Sequence, residues 1–82
     1  MSLTPASAIL TLITQRGPNK TICPSEAARL LDPTHWRDHL TAIHTAAQHL
    51  HATGQLTITQ RGQPVDPTTA RGPIRLSQPP AK

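Results

Sequence analysis

The sequence of 82 residues is almost without aromatic side chains: it holds one tryptophan, Trp36, and neither phenylalanine nor tyrosine. The hydrophobic core must therefore be built from leucine, isoleucine and alanine, and we expect Trp36 to be its largest buried side chain. The chain also has no set of aromatic rings on which the bases of single-stranded nucleic acid would stack. These two absences favour a small aliphatic core and disfavour single-strand binding.

Cysteine and long apolar runs are equally scarce. The one cysteine, Cys23, cannot form an internal disulfide. We interpret it as a buried structural thiol, and the alternative is a reactive thiol at a helix N-terminus. No apolar run approaches the roughly 20 residues needed to cross a bilayer, and the start MSLTPASAIL has no basic segment typical of a signal peptide. We therefore expect a cytoplasmic protein that does not contact membranes.

Acidic residues are also few, with four against eight lysines and arginines, for a net charge of +4. This excess favours a polyanionic partner. The sequence has no glycine-rich phosphate loop and no nucleophile motif, so we expect no enzymatic activity, no cofactor and no small-molecule substrate. His35 and His39 have the spacing of two metal ligands on a helix, but a third ligand is missing from the motif, which favours ordinary surface histidines.

The most regular hydrophobic pattern lies in residues 32–54, where apolar residues recur at intervals of four and three, as on one face of an α-helix. Asp32 or Thr34 is expected to cap the start of this helix, and Gly54 to end it. The opposite face is polar without being acidic. The apolar stripe consists of Trp36, Leu40, Ile43, Ala47 and Leu50.

Two shorter helices are predicted before it. The first spans about 5–16, with Thr4 as its cap. The second begins at Pro24, where the Glu26 carboxylate can reach back to a free backbone N–H, and it ends before Asp32. The expected apolar sides are Ala6, Ile9, Leu10 and Ile13 in the first helix and Ala27, Leu30 and Leu31 in the second.

The hydrophobic period changes from helix-like to strand-like after Gly54. Residues 56–60 alternate apolar and polar side chains, and residues 74–76 alternate again, which predicts two antiparallel strands. Residues 61–73 form a turn and an irregular loop, and residues 20–22 can add a short strand to the same sheet.

This order of elements predicts an α+β fold, a winged helix-turn-helix with three helices, a short N-terminal strand and a two-stranded wing. We expect a single domain over residues 1–82, with its core at about 4–77 and a flexible tail at 78–82.

Several collinear segments resemble a bacterial family known as domain of unknown function 3253. They are TICPSEAAR at residues 21–29, Trp36 with Arg37, ITQRGQPVDP at 58–67 and RGPIRL at 71–76. The resemblance covers about 8–76, nearly the whole chain. It implies a small winged-helix-like domain.

Double-stranded DNA is the partner that the charge and the expected fold favour, because wing and helix ends can contact phosphates while a helix face contacts bases. Arg71 and Arg75 have an alternative role, pairing with Asp66 to hold the wing. The predicted nucleic-acid contacts are Lys20, Arg37, Thr41, His44, Thr45, Gln48, Arg61, Arg71 and Arg75.

A protein-interaction module without DNA binding is the competing hypothesis, since winged helices also serve as docking domains. Ala42 and Ala46 give the long helix a flank of small side chains that can pack on a second copy. Besides DNA, we therefore expect a second copy of the chain as a partner, in a homodimer.

Overall fold

Within residues 3–18, 20–70 and 72–79, which the structure describes, the computed structural model of the protein has an α+β fold with three α-helices and a four-stranded antiparallel sheet. In chain order the elements are α1 (Pro5–Arg16), β1 (Thr21–Ile22), α2 (Pro24–Leu31), a 3₁₀ turn (Trp36–His39), α3 (Leu40–Ala52), β2 (Thr57–Gln60), β3 (Gln63–Pro64) and β4 (Arg75–Ser77).

The sheet is ordered β1-β4-β2-β3, with every neighbouring pair antiparallel. Leu76 of β4 lies opposite Ile22 on one side and Ile58 on the other, and it is fully buried. The pairing predicted between residues 56–60 and 74–76 is confirmed, as is the short strand before α2.

The sheet has one strand more than the three that the sequence predicts. The additional strand, β3, forms because Arg61 and Gly62 both have positive φ angles, of 53° and 80°. Two such residues close the tight hairpin turn whose twist matches that of the flanking strands. The chain therefore folds back on β2 at once, before the loop to β4 begins.

Helix α1 begins and ends where local chemistry predicts. The Thr4 Oγ1 atom accepts the Ser7 amide at 3.1 Å, and the Thr4 amide donates to Ser7 Oγ at 2.8 Å, which forms a reciprocal cap. At the other end Gly17, with φ of 89°, donates to the Ile13 carbonyl. The predicted bounds of this helix are confirmed.

The third helix starts later than predicted, at Leu40. The Asp32 carboxylate accepts the amides of Thr34 and His35, each at 3.1 Å, and so forms a local turn that competes with helix formation. The 3₁₀ turn then precedes α3, with the Asp38 amide donating to the His35 carbonyl. The sequence predicts Asp32 or Thr34 as the cap of the long helix, but the Asp32 side chain caps this connection, and the residue before α3 is His39.

The core of the described residues is made of leucine, isoleucine and alanine, as predicted, but Trp36 is not at its centre. Trp36 is half-buried at the edge, and the largest fully buried side chains are isoleucines together with Leu76. Leu30, expected on the buried side of α2, is 39% exposed, and Ala28 is buried in its place. The buried set is Ala8, Ile9, Ile13, Ile22, Ala27, Ala28, Ile43, Ala47, Leu50, Leu56, Ile58, Ile74 and Leu76.

The segment after β4 is joined to α1 by a hydrogen bond. Gln78, placed in the tail by the sequence prediction, is half-buried and donates to the Ile13 carbonyl at 3.0 Å. Among the described residues, no helix combines the length and the apolar character that a membrane span requires.

Candidate nucleic-acid interface

Three adjoining depressions form one continuous surface, which we call the polar groove. The first lies at the β2–β3 hairpin and shares Gly72 and Pro73 with the second, and the second shares Leu40 and His44 with the third. None of the lining residues is acidic. In order from hairpin to helix they are Gln60, Arg61, Arg75, Gly72, Pro73, Ile74, Cys23, Pro24, Ser25, Leu40, His44, Thr41, Thr45 and Gln48.

The hairpin end of the groove is a basic cleft of about 640 Å³ that contains Arg61 and Arg75. Arg61 is exposed at the tip of the hairpin. Gln60 Nε2 donates to the Pro73 carbonyl at 3.2 Å and so connects the hairpin to the loop before β4. This bond holds the two walls of the cleft together.

Two nitrogen atoms of the Arg75 guanidinium already donate hydrogen bonds within the protein. Its Nε donates to Thr21 Oγ1 at 3.0 Å, and its Nη2 donates to the Thr21 carbonyl at 3.3 Å. The expected alternative, a pair with Asp66, is not formed: the Asp66 carboxylate accepts from the amide and the hydroxyl of Thr68. Arg75 therefore connects β4 to the start of β1.

The α3 end of the groove is lined by all four predicted contact residues of this helix: Thr41, Thr45 and Gln48, predicted to contact bases, and His44, predicted to contact bases or phosphates. Each is exposed, on the face of α3 opposite the buried Ile43, Ala47 and Leu50. Their side chains offer both donors and acceptors. The exposed face of α3 therefore presents groups that can form hydrogen bonds in both directions.

The N-terminus of α2 lies between these two ends. Cys23, expected to be buried, is half-buried at the groove wall, and Ser25 Oγ donates to its Sγ at 3.2 Å. Glu26 caps the helix: its carboxylate accepts the Cys23 amide at 2.7 Å and pairs with Arg16. Partial burial raises the pKa of Glu26, but the Cys23 amide and the Arg16 guanidinium outweigh it, so the pKa is lower than its ordinary value of 4.5.

Three predicted phosphate contacts lie outside the groove or outside the described residues. Arg37 is exposed, and its guanidinium lies 4.4 Å from the centroid of the Trp36 ring. Lys20 precedes β1 and lies toward the Ser77 end of the sheet, away from the hairpin tip. Arg71 lies outside the described residues.

Sequence reasoning missed several members of this surface. Gly72 and Pro73 line two of the depressions, and Ser25 lines the middle one. Outside the groove, the Arg29 guanidinium lies over the Trp36 ring, which Arg37 also contacts. The loop residues carry no periodic signal. The i, i+4 spacing of Ser25 and Arg29, which puts both on one face of α2, was the available signal for that helix.

The histidines near the 3₁₀ turn interact with Asp32. His39 Nε2 lies 3.3 Å, and His35 Nδ1 3.6 Å, from Asp32 Oδ2. The His35 amide, the His39 ring and the Thr34 amide together hold the pKa of Asp32 below its ordinary value, against a smaller effect of desolvation. No group of three or more histidine, cysteine or acidic side chains suited to a metal ion occurs in the described part of the chain.

A fourth depression, apolar and about 440 Å³ in volume, lies between the N-terminus of α1 and the other flank of α3. We call it the apolar groove. Ala42 and Ala46, which the sequence marks as a packing flank, both line it. Thr45 lies on the ridge between this apolar groove and the polar groove, since it lines both. The remaining lining residues are Thr4, Pro5, Ala6, His49 and Leu50.

Similarity to known proteins is found at the level of a family. No curated protein matches the chain. One family model, described as a protein of unknown function (DUF3253), matches residues 3–79, which is nearly the whole sequence and includes every segment that carried the resemblance. The chain therefore belongs to the DUF3253 family.

Proposed function

We propose that this protein is a winged helix-turn-helix domain that binds double-stranded DNA through the polar groove, as a transcription-associated protein of the bacterial cytoplasm. In this proposal α2 and α3 form the helix-turn-helix, and the β2–β3 hairpin with β4 forms the wing. We assign it no catalytic activity and no cofactor. The proposal rests on one observation: the four predicted contacts on α3 and two of the predicted basic contacts, Arg61 and Arg75, line a single groove with no acidic side chain among its described lining residues.

The side chains along the groove support different roles for its two ends, phosphate contact at the hairpin and base contact at α3. Arg61 and Arg75, at the hairpin end, are suited to the phosphate backbone, which carries no sequence information. The amide of Gln48 can donate to and accept from the edge of a base, and the hydroxyls of Thr41 and Thr45 can do the same. Affinity would come mainly from the hairpin, and sequence preference from α3.

Binding of a labelled duplex of mixed sequence, followed by fluorescence anisotropy, tests the proposal. If about four phosphates are neutralised, log K falls with log salt at a slope of about −3.6, so affinity drops about 50-fold from 50 to 150 mM salt. The most permissive salt concentration is about 50 mM, where phosphate contacts are weakly screened, and the assay is run there at pH 6. No measurable binding there removes the DNA proposal.

A second candidate function is homodimerisation through the apolar groove, and one observation favours it. Ala42 and Ala46 line this groove together with Pro5 and Ala6, and Leu3, which is 39% exposed, adjoins the groove residue Thr4. Each copy therefore offers an apolar depression and, next to it in the chain, an exposed apolar side chain. A second copy related by a two-fold axis would cover both at once.

A further inference from the structure

Two arginine side chains contact one indole ring where α2 connects to the 3₁₀ turn. The Cζ atoms of Arg29 and Arg37 each lie 4.4 Å from the centroid of the Trp36 ring. Arg29 belongs to the last turn of α2, and Trp36 and Arg37 open the 3₁₀ turn. Both arginines are exposed, while Trp36 is half-buried against the core. We call these three residues the arginine stack.

No hydrogen bond or ion pair joins either guanidinium of the arginine stack to a described residue, and each lies over the Trp36 ring. The ring attracts a cation through its π-face, which leaves the N–H donors available to a ligand. Arg16, by contrast, is paired with the Glu26 carboxylate. The stack therefore holds two positive charges close together with their hydrogen-bonding capacity unused.

The acidic residues nearest in sequence do not neutralise the stack. Asp32 accepts backbone amides and lies against His35 and His39. Asp38 makes no ion pair with any described residue. Two like charges brought to one ring without a counterion form a place that an external anion would stabilise.

The stack also continues the line of the polar groove. Trp36 lies in the 3₁₀ turn that leads into Leu40, which lines the α3 end of the groove. In α2, Arg29 is one α-helical turn beyond Ser25, which lines the middle of the groove. Residues separated by four positions lie on the same side of a helix. An extended polyanion lying in the groove would therefore meet the stack as it leaves the start of α3.

We propose that Arg29 and Arg37, oriented by Trp36, clamp phosphate groups of the DNA backbone beside the polar groove. Guanidinium groups suit this ligand because their N–H donors match two phosphate oxygens at once. Arg29 and Arg37 are the contact residues, and Trp36 is a positioning residue. The inference rests on the proposed duplex binding and adds Arg29, which the charge pattern of the sequence does not single out.

The composition of the chain provides a reporter inside the clamp. Trp36 is the sole tryptophan, and tyrosine and phenylalanine are absent, so intrinsic emission of the protein comes from Trp36 alone. Two parallel titrations of wild-type protein with the same duplex sequence give two readouts: anisotropy of the labelled duplex and Trp36 emission with the unlabelled one. We expect both signals to saturate with the same Kd.

Substitutions identify the contact. Arg29→Gln should make the salt slope shallower by about 0.9 for each phosphate that the arginine neutralises. Arg16→Gln removes the same charge from a residue outside the stack and should keep the wild-type slope. In a Trp36→Leu background, the effect of Arg29→Gln on the slope should shrink, because the guanidinium is no longer oriented. Thermal melts confirm that each variant is folded at the assay temperature.

The outcomes separate the two proposals. If the duplex binds but Trp36 emission stays constant, or if Arg29→Gln keeps the wild-type slope, the clamp is overturned and groove binding stands. If Arg29→Gln has its full effect in the Trp36→Leu background, Trp36 has no positioning role and that part is overturned. If no duplex binds at about 50 mM salt and pH 6, both proposals are overturned together.

Discussion

At the scale of single residues, the arginines differ in whether protein atoms already satisfy their guanidinium groups. Arg16 is paired with Glu26 at the start of α2, and Arg75 donates twice to Thr21. Arg61 is exposed at the hairpin tip and its guanidinium pairs with no described residue. Counting positive charges in the sequence overestimates those available to a ligand, because some of them hold the fold together.

The position of Trp36 at the edge of the core sets how much it stabilises the protein. Truncation of a fully buried tryptophan costs about 3 to 5 kcal/mol. Trp36 is half-buried, and its arginine contacts contribute about 0.5 to 1 kcal/mol each at an exposed site. We expect Trp36→Ala to lower the free energy of unfolding by about 2 kcal/mol in urea denaturation. A decrease above about 3 kcal/mol would place the ring in the core.

Glu26 couples the stability of α2 to pH. Its pKa is lower in the folded chain than the ordinary value of 4.5. The folded state therefore binds fewer protons, and the stability contributed by Glu26 is complete above that ordinary value and is lost as pH falls through the folded-state pKa. Glutamine keeps an oxygen that can accept the Cys23 amide, so Glu26→Gln removes only the charge that favours the N-terminus of α2 and Arg16. We expect a cost of about 0.5 to 1 kcal/mol at pH 6.

The difference in stability between wild type and Glu26→Gln should shrink as the pH is lowered from 6 to 3. Denaturant titrations at several pH values measure it. Asp38→Asn is the control, because it removes a carboxylate that pairs with no described residue. A Glu26→Gln difference that is constant over this range would show that the carboxylate is not the source of the pH dependence.

At the scale of elements, the β2–β3 hairpin combines a structural strain with the proposed phosphate contact. Arg61 has a φ angle of 53°, a conformation that costs an ordinary residue roughly 1 to 2 kcal/mol. Asparagine tolerates this conformation better. We expect Arg61→Asn to keep or raise thermal stability while weakening duplex binding, with a salt slope shallower by about 0.9.

A variant on α3 provides the matched comparison. Gln48→Ala leaves the charge unchanged and removes a proposed base contact, so the salt slope should persist while the preference among duplex sequences changes. Anisotropy titrations over a series of salt concentrations, with two or more sequences, measure both effects. Equal salt slopes for Arg61→Asn and wild type would show that the hairpin is not part of the interface.

At the scale of the whole molecule, the two grooves flank α3 on either side of Thr45. A dimer formed through the apolar groove would leave the polar groove of each copy open, because the lining residues are otherwise separate. We expect sedimentation to show a dimer at tens of micromolar protein, and Ala42→Asp to shift it toward monomer by placing a charge in the apolar surface. A monomer at those concentrations would remove the dimer proposal.

Much of the local structure of this protein could be predicted from its sequence. Caps at Thr4 and Glu26 and the change of hydrophobic period after Gly54 involve only residues close in the chain, so the bounds of α1 and α2 and the pairing of β2 with β4 followed from them. The polar face of α3 followed for the same reason, because it is the face that the apolar stripe leaves exposed.

Which residues form one surface depended instead on tertiary packing. Gln60 and Pro73 are joined across the cleft, and Arg75 is joined to Thr21 although 54 residues separate them. The 3₁₀ turn depended on the competition between the Asp32 side chain and the backbone for the same amides. Such contacts are set by the packing of helices against the sheet, which brings together residues that no local pattern connects.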